Sequence, residues 1–227
     1  MADTNYIVFD DDPPPRIDRV SLAIVPTDVY SGRIVTQKIK AAVKVKNIGN
    51  YLPTKPRRNL SGLLVFVNLP ANTVYEVKVE AQEAGYFDPD IFDFQPLPEN
   101  SNDAAGRRKV VNLYRKPDYP FESEITLVSG VVQLNHQPVL DALFEVTTNP
   151  GSDSFKTKTD QRGAFALALR LPQIDEANNT PASVDFKITH PDGNLQFSKD
   201  VFENRRHVFV QPIDLSNPVV PSLILST

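Results

Sequence analysis

Apolar residues come in short runs along this chain, many alternating with polar ones, and almost every run is closed by proline, glycine, asparagine or aspartate. Period-two alternation is the signature of a strand with one buried face. It recurs at Lys38 to Lys46, Tyr75 to Val79, Ala164 to Leu171 and Val184 to Ile188. Helix-spaced apolar patterns of useful length are scarce; the best candidate is the polar stretch Ile174 to Asn179, just after Pro172. The 20 prolines, nearly twice the usual share, fall between the apolar runs rather than inside them. The pattern predicts an all-β chain with almost no helix.

The pattern also occurs twice. One copy spans about residues 20 to 87 and carries Ser31-Gly32, then Asn59 to Phe66, Tyr75 to Val79 and Gly85-Tyr86-Phe87. The other spans about 126 to 190, with Ser129-Gly130, Thr159 to Phe165 and Val184 to Ile188. About 30 residues separate the two key glycines in each copy, which reads as an internal repeat. Two related immunoglobulin-like or transthyretin-like β-sandwiches in tandem are predicted, with extended terminal arms. The expected divisions are an N-terminal arm 1–18, a first sandwich 19–114, a linker 115–124 stiffened by Pro117 and Pro120, a second sandwich 125–215, and a tail 216–227.

In the second unit, Phe165, Leu167, Leu169 and Leu171 face one way, toward the core; the other face carries only Ala164, Ala166, Ala168 and Arg170. Such a face either admits another surface closely or is an ordinary, lightly exposed sheet face. A closing hairpin is expected over Lys199 to Asp214, turning at Glu203-Asn204-Arg205-Arg206. The tail is charge-free and holds Val219, Val220, Leu223, Ile224 and Leu225. Leaving these side chains in water would cost about 1 to 3 kcal/mol each. The tail must therefore fold back on its own sandwich or add to a neighbour's sheet edge. The short segment Tyr6, Ile7, Val8 and Phe9, set off by Pro13-Pro14-Pro15, faces the same choice.

Net charge is only −4, but it is segregated. Residues 29 to 75 contain no Asp or Glu and eight Lys or Arg; from Glu76 to Asp103 eight acids face a single Lys78. Clustered cations can neutralise nucleic-acid phosphates. Here, however, the lysines largely alternate with Ile39, Val43 and Val45, as on the solvent face of one strand. Lys44 and Lys46 therefore belong to a solvated or partner-facing strand, with opposed patches on other copies as a further option. No nucleic acid is expected as a partner. The chain has no cysteine, Met1 to Asn5 lacks the features of a signal peptide, and no apolar run is long enough to cross a bilayer. These features lead to an expectation of a cytoplasmic protein with no membrane insertion.

The segments Ser129 to Val132, Gln137-Pro138-Val139, Ala142 to Val146 and Thr159 to Phe165 together resemble the carboxypeptidase regulatory-like domain, a seven-stranded transthyretin-like sandwich. The first copy is similar but has Asn59 to Phe66 where the second has its Thr-Asp turn. The opening Arg19 to Leu22, Asp28 to Val35 and Arg57-Arg58-Asn59 also look like domains encoded with phage-tail-like contractile injection systems. That resemblance implies a cap, baseplate or accessory component rather than a catalyst.

Elimination points the same way. His136, His190 and His207 lie in separate segments without metal-ligand spacing and are expected at surface or cap positions. No G-x-S-x-G elbow occurs. Asp88, Asp90 and Asp93 could gather around calcium, but Pro89 and the missing glycine turn favour solvated loop acids. Neither Val20 to Val25 nor Ile125 to Val132 contains the lysine that a self-formed Lys-to-Asn crosslink needs. The expectation is a non-enzymatic structural or adaptor protein without cofactors, assembling with itself or with other subunits. The alternative is a carbohydrate- or cell-surface-binding module using the loops Pro53 to Arg58 and Asn149 to Ser154; the absence of Trp, with Tyr51 the most loop-like tyrosine, weighs against it.

Overall fold

Alternating side chains sort into two sheet pairs in the computed structural model, which describes residues 19–48, 50, 55–98, 101–148, 154–171, 180–217 and 219–226. The segment Tyr6 to Phe9, Tyr51, the stretch Ile174 to Asn179, Pro53 and Thr54, and all of Asn149 to Ser154 but its last residue lie outside the described residues. The one helical element among those described is a 3-10 turn, Gln82–Ala84. The protein is all-β, two immunoglobulin-like sandwiches in tandem.

The first sandwich contains β1 (Val20–Asp28), β2 (Lys40–Val45), β3 (Arg57–Arg58), β4 (Leu64–Val67), β5 (Tyr75–Glu80), β6 (Phe92–Phe94) and β7 (Arg108–Leu113). One sheet runs β3-β4-β1-β7 and the other β2-β5-β6. Period two is kept: Tyr75, Val77 and Val79 of β5 are buried, while Glu76, Lys78 and Glu80 face outward. Between the sheets lie Leu22, Ile24, Val43, Phe66, Val77 and Leu113, none with measurable exposure.

The second sandwich contains β8 (Thr126–Leu134), β9 (Gln137–Pro138), β10 (Leu143–Thr148), β11 (Ser154–Lys158), β12 (Ala164–Leu169), β13 (Ala182–His190), β14 (Gly193–Val201), β15 (Arg206–Phe209), β16 (Ile213–Asp214) and β17 (Leu223–Leu225). One sheet runs β12-β8-β15-β17, with β9 and β16 pairing on the far end of β8; the other runs β11-β10-β13-β14. An aromatic cluster fills the space between them. Phe144 stacks on Phe165 at 4.0 Å, and Phe186 meets Phe144 and Phe209 edge-on at 5.8 and 6.0 Å. Each fully buried Phe contributes about 2 to 3 kcal/mol of burial.

The repeat is visible as topology. β1 pairs antiparallel with β4 and parallel with β7; β8 pairs antiparallel with β12 and parallel with β15. The turn before β4 and the turn before β12 are the same device. The amides of Gly62 and Leu63 bond to the backbone and side-chain oxygens of Asn59; those of Gly163 and Ala164 bond to the same oxygens of Asp160. Both glycines take left-handed φ, +80° and +70°. Asn59-Leu60-Ser61-Gly62 is thus the counterpart of the Thr-Asp turn.

Two expectations are corrected. Ser31-Gly32 and Ser129-Gly130 are not equivalent: Gly32 sits in a turn after β1 with φ +67°, whereas Gly130 lies within β8, where a Cβ would meet the Phe165 ring at 3.1 Å. Lys199 to Asp214 is not a hairpin either. β14 pairs with β13 through the turn at His190 to Gly193, and residues 202 to 205 carry the chain across to the opposite sheet, where β15 joins β8.

Candidate assembly interface

β1 ends on Asp28, a carboxylate nearly sealed from solvent, and its surroundings show why an acid stands there. Asp28 Oδ1 accepts from the Tyr30 and Ser31 amides at 2.8 and 3.0 Å, closing the turn that follows the strand. Its Oδ2 accepts from the Tyr86 hydroxyl at 2.8 Å and from Arg115 Nε at 2.9 Å, and forms an ion pair with Arg115 Nη2 at 2.8 Å. A buried charge is tolerated when it is paired and fully hydrogen-bonded, as here. Burial, with the hydrogen bonds to Tyr119 and Asp28, pushes the Tyr86 phenol well above its usual range, so it stays a donor.

Arg115 also carries the connection between the sandwiches. Its guanidinium lies over the rings of Tyr30 and Tyr119 at 4.7 and 4.4 Å, and its carbonyl accepts from Thr157 Oγ1 of β11 at 3.2 Å. The Arg170 guanidinium lies over Tyr30 at 4.8 Å, so this ring contacts one cation from the connection and one from the second sandwich. Tyr30 and Phe121 cover Ile125, Leu127, Ala166 and Ala168, all buried. The alanine face of β12 therefore receives another surface: the first sandwich and the connecting segment. A void of only about 20 Å³ remains where Tyr30, Leu113 and Arg115 meet Phe155, Thr157 and Ala166. Lys158 adds a rim contact to Asp90 at 3.3 Å.

The tail folds back on its own sandwich. Asp214 accepts from the amide and hydroxyl of Ser216 at 2.9 and 2.6 Å, bonds that hold its carboxyl below the usual range and start the tail's turn. β17 then pairs antiparallel with β15, with Phe209 opposite Leu223, Val208 opposite Ile224 and His207 opposite Leu225. Val220 and Leu223 pack against the aromatic core. Val219 remains 72% exposed, Ile224 49% and Leu225 47%, and Val210 beside them 57%.

The basic and acidic segments meet each other within one sheet. Lys44 lies across from Glu76 in the β2/β5 ladder, 2.6 Å from its carboxylate, and Lys46 pairs with Asp93 of β6. Lys40 pairs with Glu83. The three loop acids diverge: Asp88 takes the Ala81 amide and the Gln82 side chain, Asp90 takes Lys158, and Asp93 takes Lys46. No group of three His, Asp or Glu among the described residues could hold a metal ion.

His136 and His190 lie near Asp214 and Asp192, but His207 is not at the surface. It is buried in β15, its Nε2 accepting the Phe202 amide at 3.1 Å, while its Nδ1 makes no well-formed hydrogen bond among the described residues. Burial lowers its pKa below 6.5, against weaker opposing effects from the Arg205 and Leu127 backbone.

Sequence reading missed Asp28, Tyr30, Arg115, Phe121 and Arg170 as a group. The available signal was local: an acid closing an apolar strand immediately before Val-Tyr-Ser-Gly marks a side-chain-capped turn. Nothing local links it to Arg115, 87 positions away.

No helix among the described residues is long and apolar enough to cross a membrane. No protein-family profile matches the chain. No curated protein matches it. Among solved structures it is similar to the Bacillus anthracis TIE protein, with 15% identity over 88% of this chain and a TM-score of 0.35; the chain spans 33% of that protein's length. A mutant form of the shaft pilin SpaA from Lactobacillus rhamnosus GG aligns over 92% of this chain and 100% of its own, at 14% identity and a TM-score of 0.33. A streptococcal ancillary pilin aligns over 78% of this chain and 58% of its own, at 12% identity and a TM-score of 0.28. The tandem-sandwich fold stands on the strand pairing itself.

Proposed function

We propose that this chain is a non-catalytic structural or adaptor subunit of a larger protein assembly. One observation carries the reading: a charge-free apolar tail is laid down as the outermost strand of a sheet, with no strand on its outer edge among the described residues. Such an edge is a template for another chain. The units are taken as 19–114 and 125–215, joined by 115–124, with 216–227 as the attachment segment. The arm segment Tyr6 to Phe9 is the second attachment element. With their charge already taken up by Glu76 and Asp93, Lys44 and Lys46 contribute less to attachment than the tail does.

The finer reading, from the resemblance of Arg19 to Leu22 and Asp28 to Val35, is an accessory, cap or baseplate component of a phage-tail-like contractile injection particle, built in the cytoplasm. The test is sedimentation of a native extract of the source cells with detection of this chain by antibody. Co-migration with particles far heavier than a 25.3 kDa chain is the expected result. Recovery only in the light fractions would refute the assembly reading.

A further inference from the structure

The sheet edges of this protein differ in how they are protected against pairing. β3 consists of two arginines, β2 begins on Lys40 and carries Lys44, and β6 is three residues centred on Asp93. β7 opens with Arg108 and Lys109, β11 carries Lys156 and Lys158, and β14 carries Lys199 and Asp200. Charged side chains on an edge resist strand addition, because the added strand would bury them. β12 is charge-free, but it runs beside β11 and its outer face lies under Tyr30. β17 remains: Leu-Ile-Leu between Ser222 and Ser226, without charge and with no strand on its far side among the described residues.

Backbone bonds fix which groups are available there. Val210 N donates to Ser222 O and Ser226 N donates to Arg206 O, and Val208 stands opposite Ile224. In an antiparallel ladder alternate residues use their backbone groups on the same side. Ser222, Ile224 and Ser226 therefore bond to β15, and the N–H and C=O groups of Leu223 and Leu225 point to the open edge.

We infer that this edge pairs antiparallel with the same strand of a second copy, about a two-fold axis through Ile224; the inference rests on the assembly reading above and names its partner. Register and charge select this occupant. Centred on Ile224, each copy's Leu223 exchanges both backbone bonds with the other copy's Leu225. The same register sets the two Ile224 side chains against each other in the close, non-hydrogen-bonded position. Of the other uncovered edges on a second copy, the two-residue β9 ends on Pro138, which has no N–H to donate, and the rest would bring a lysine, arginine or aspartate against this apolar strip. An isologous contact of this kind is self-complementary and closes on itself. It joins the β12-β8-β15-β17 sheets of two copies into one continuous sheet. Val210, Val219, Ile224 and Leu225 supply well under the ~800 Å² per partner of a standard interface. The pairing is thus concentration-dependent in isolation and is reinforced where other contacts hold copies together.

The chain has no cysteine, so Ile224→Cys places a single thiol beside the axis. Opposed non-hydrogen-bonded residues have Cα atoms about 4.5 Å apart, within disulfide range. With oxidised glutathione, the I224C chain is expected to form disulfide-linked dimers roughly tenfold faster or more than Gln196→Cys on the exposed face of β14. Equal rates overturn the inference. Sedimentation velocity across concentration gives a second reading. Ile224→Lys, and Leu225→Pro, which deletes an outward N–H that β15 does not use, should each weaken dimerisation about tenfold or more while circular dichroism shows the fold intact. Dimers that survive both changes show that copies join elsewhere, which overturns this edge and leaves the assembly reading standing. A wild-type chain that stays monomeric and uncrosslinked overturns self-pairing, whereas the assembly reading is decided separately by sedimentation of the native extract.

Discussion

Arg115, 87 residues further along the chain, donates a hydrogen bond from Nε to one oxygen of Asp28 at 2.9 Å and holds its Nη2 2.8 Å from the same oxygen as an ion pair. The pair ties the end of the first strand to the start of the connection between the sandwiches. Removing only the cation strands a buried carboxylate. Arg115→Ala is expected to cost about 3 kcal/mol in urea unfolding, whereas Asp28→Asn, which keeps an oxygen for the turn, costs less. A loss below 1 kcal/mol for R115A would show that the pair is effectively solvated.

Tyr30 is the side chain that seats one sandwich on the other, in contact with two guanidinium groups and the alanine face of β12. Tyr30→Ala should leave each core packed but expose Ala166 and Ala168, at a cost of roughly 2 kcal/mol. Small-angle scattering is expected to show a broader distribution of long distances in the variant than in the wild type. Superimposable curves would mean that Tyr119, Phe121 and the Asp28 pair suffice to hold the junction.

His207 makes stability depend on mild acid. Its folded pKa lies below the ordinary 6.5, chiefly through burial, so the unfolded chain takes up the proton first as pH falls. Its contribution is fully present above about pH 6.5 and is lost as pH drops from there through the folded pKa. Protonation also puts a second donor against the Phe202 amide. His207→Gln should therefore flatten the fall in denaturation midpoint between about pH 7 and 5. Parallel pH curves for the two proteins would rule the histidine out as the source.

The repeated glycine turns allow a paired comparison. Both Gly62→Ala and Gly163→Ala incur the left-handed backbone cost of roughly 1 to 2 kcal/mol. At Gly163 the new Cβ also meets the Val132 carbonyl oxygen at 2.2 Å, in a strand that cannot yield, whereas at Gly62 it meets the movable Thr36 methyl at 2.5 Å. G163A is expected to lower the melting temperature by several degrees more than G62A. The reverse order would show that the β8 ladder is the softer of the two.

Alternation of single residues made the sheets legible. Ala182, Val184, Phe186 and Ile188 face inward along β13 while Ser183, Asp185, Lys187 and Thr189 face out, a rule each residue obeys by itself. The Asn59 and Asp160 turns were readable for the same reason, since their bonds close within a few residues. The connection after β14 was not. Asn204 takes φ +53°, as a hairpin turn would allow, and only the pairing of β15 with distant β8 shows that the chain changes sheets there. The junction escaped because its members are scattered along the chain. Similarly, the segregated charges invite a reading as opposed surfaces until β2 and β5 are placed side by side.

The parallel pairing of first and last strands has a mechanical consequence. The chain enters the first sandwich at Val20 and leaves at Leu113, opposite ends of the β1/β7 ladder, which runs from Ala23 beside Arg108 to Asp28 beside Leu113. Tension applied through the two ends slides these strands past each other, loading every bond of the ladder at once instead of peeling them singly. Arg115, two residues past that exit, is anchored back on Asp28 at the same end of the ladder. A pull passing between the sandwiches thus reaches the buried ion pair and the shear-loaded ladder together.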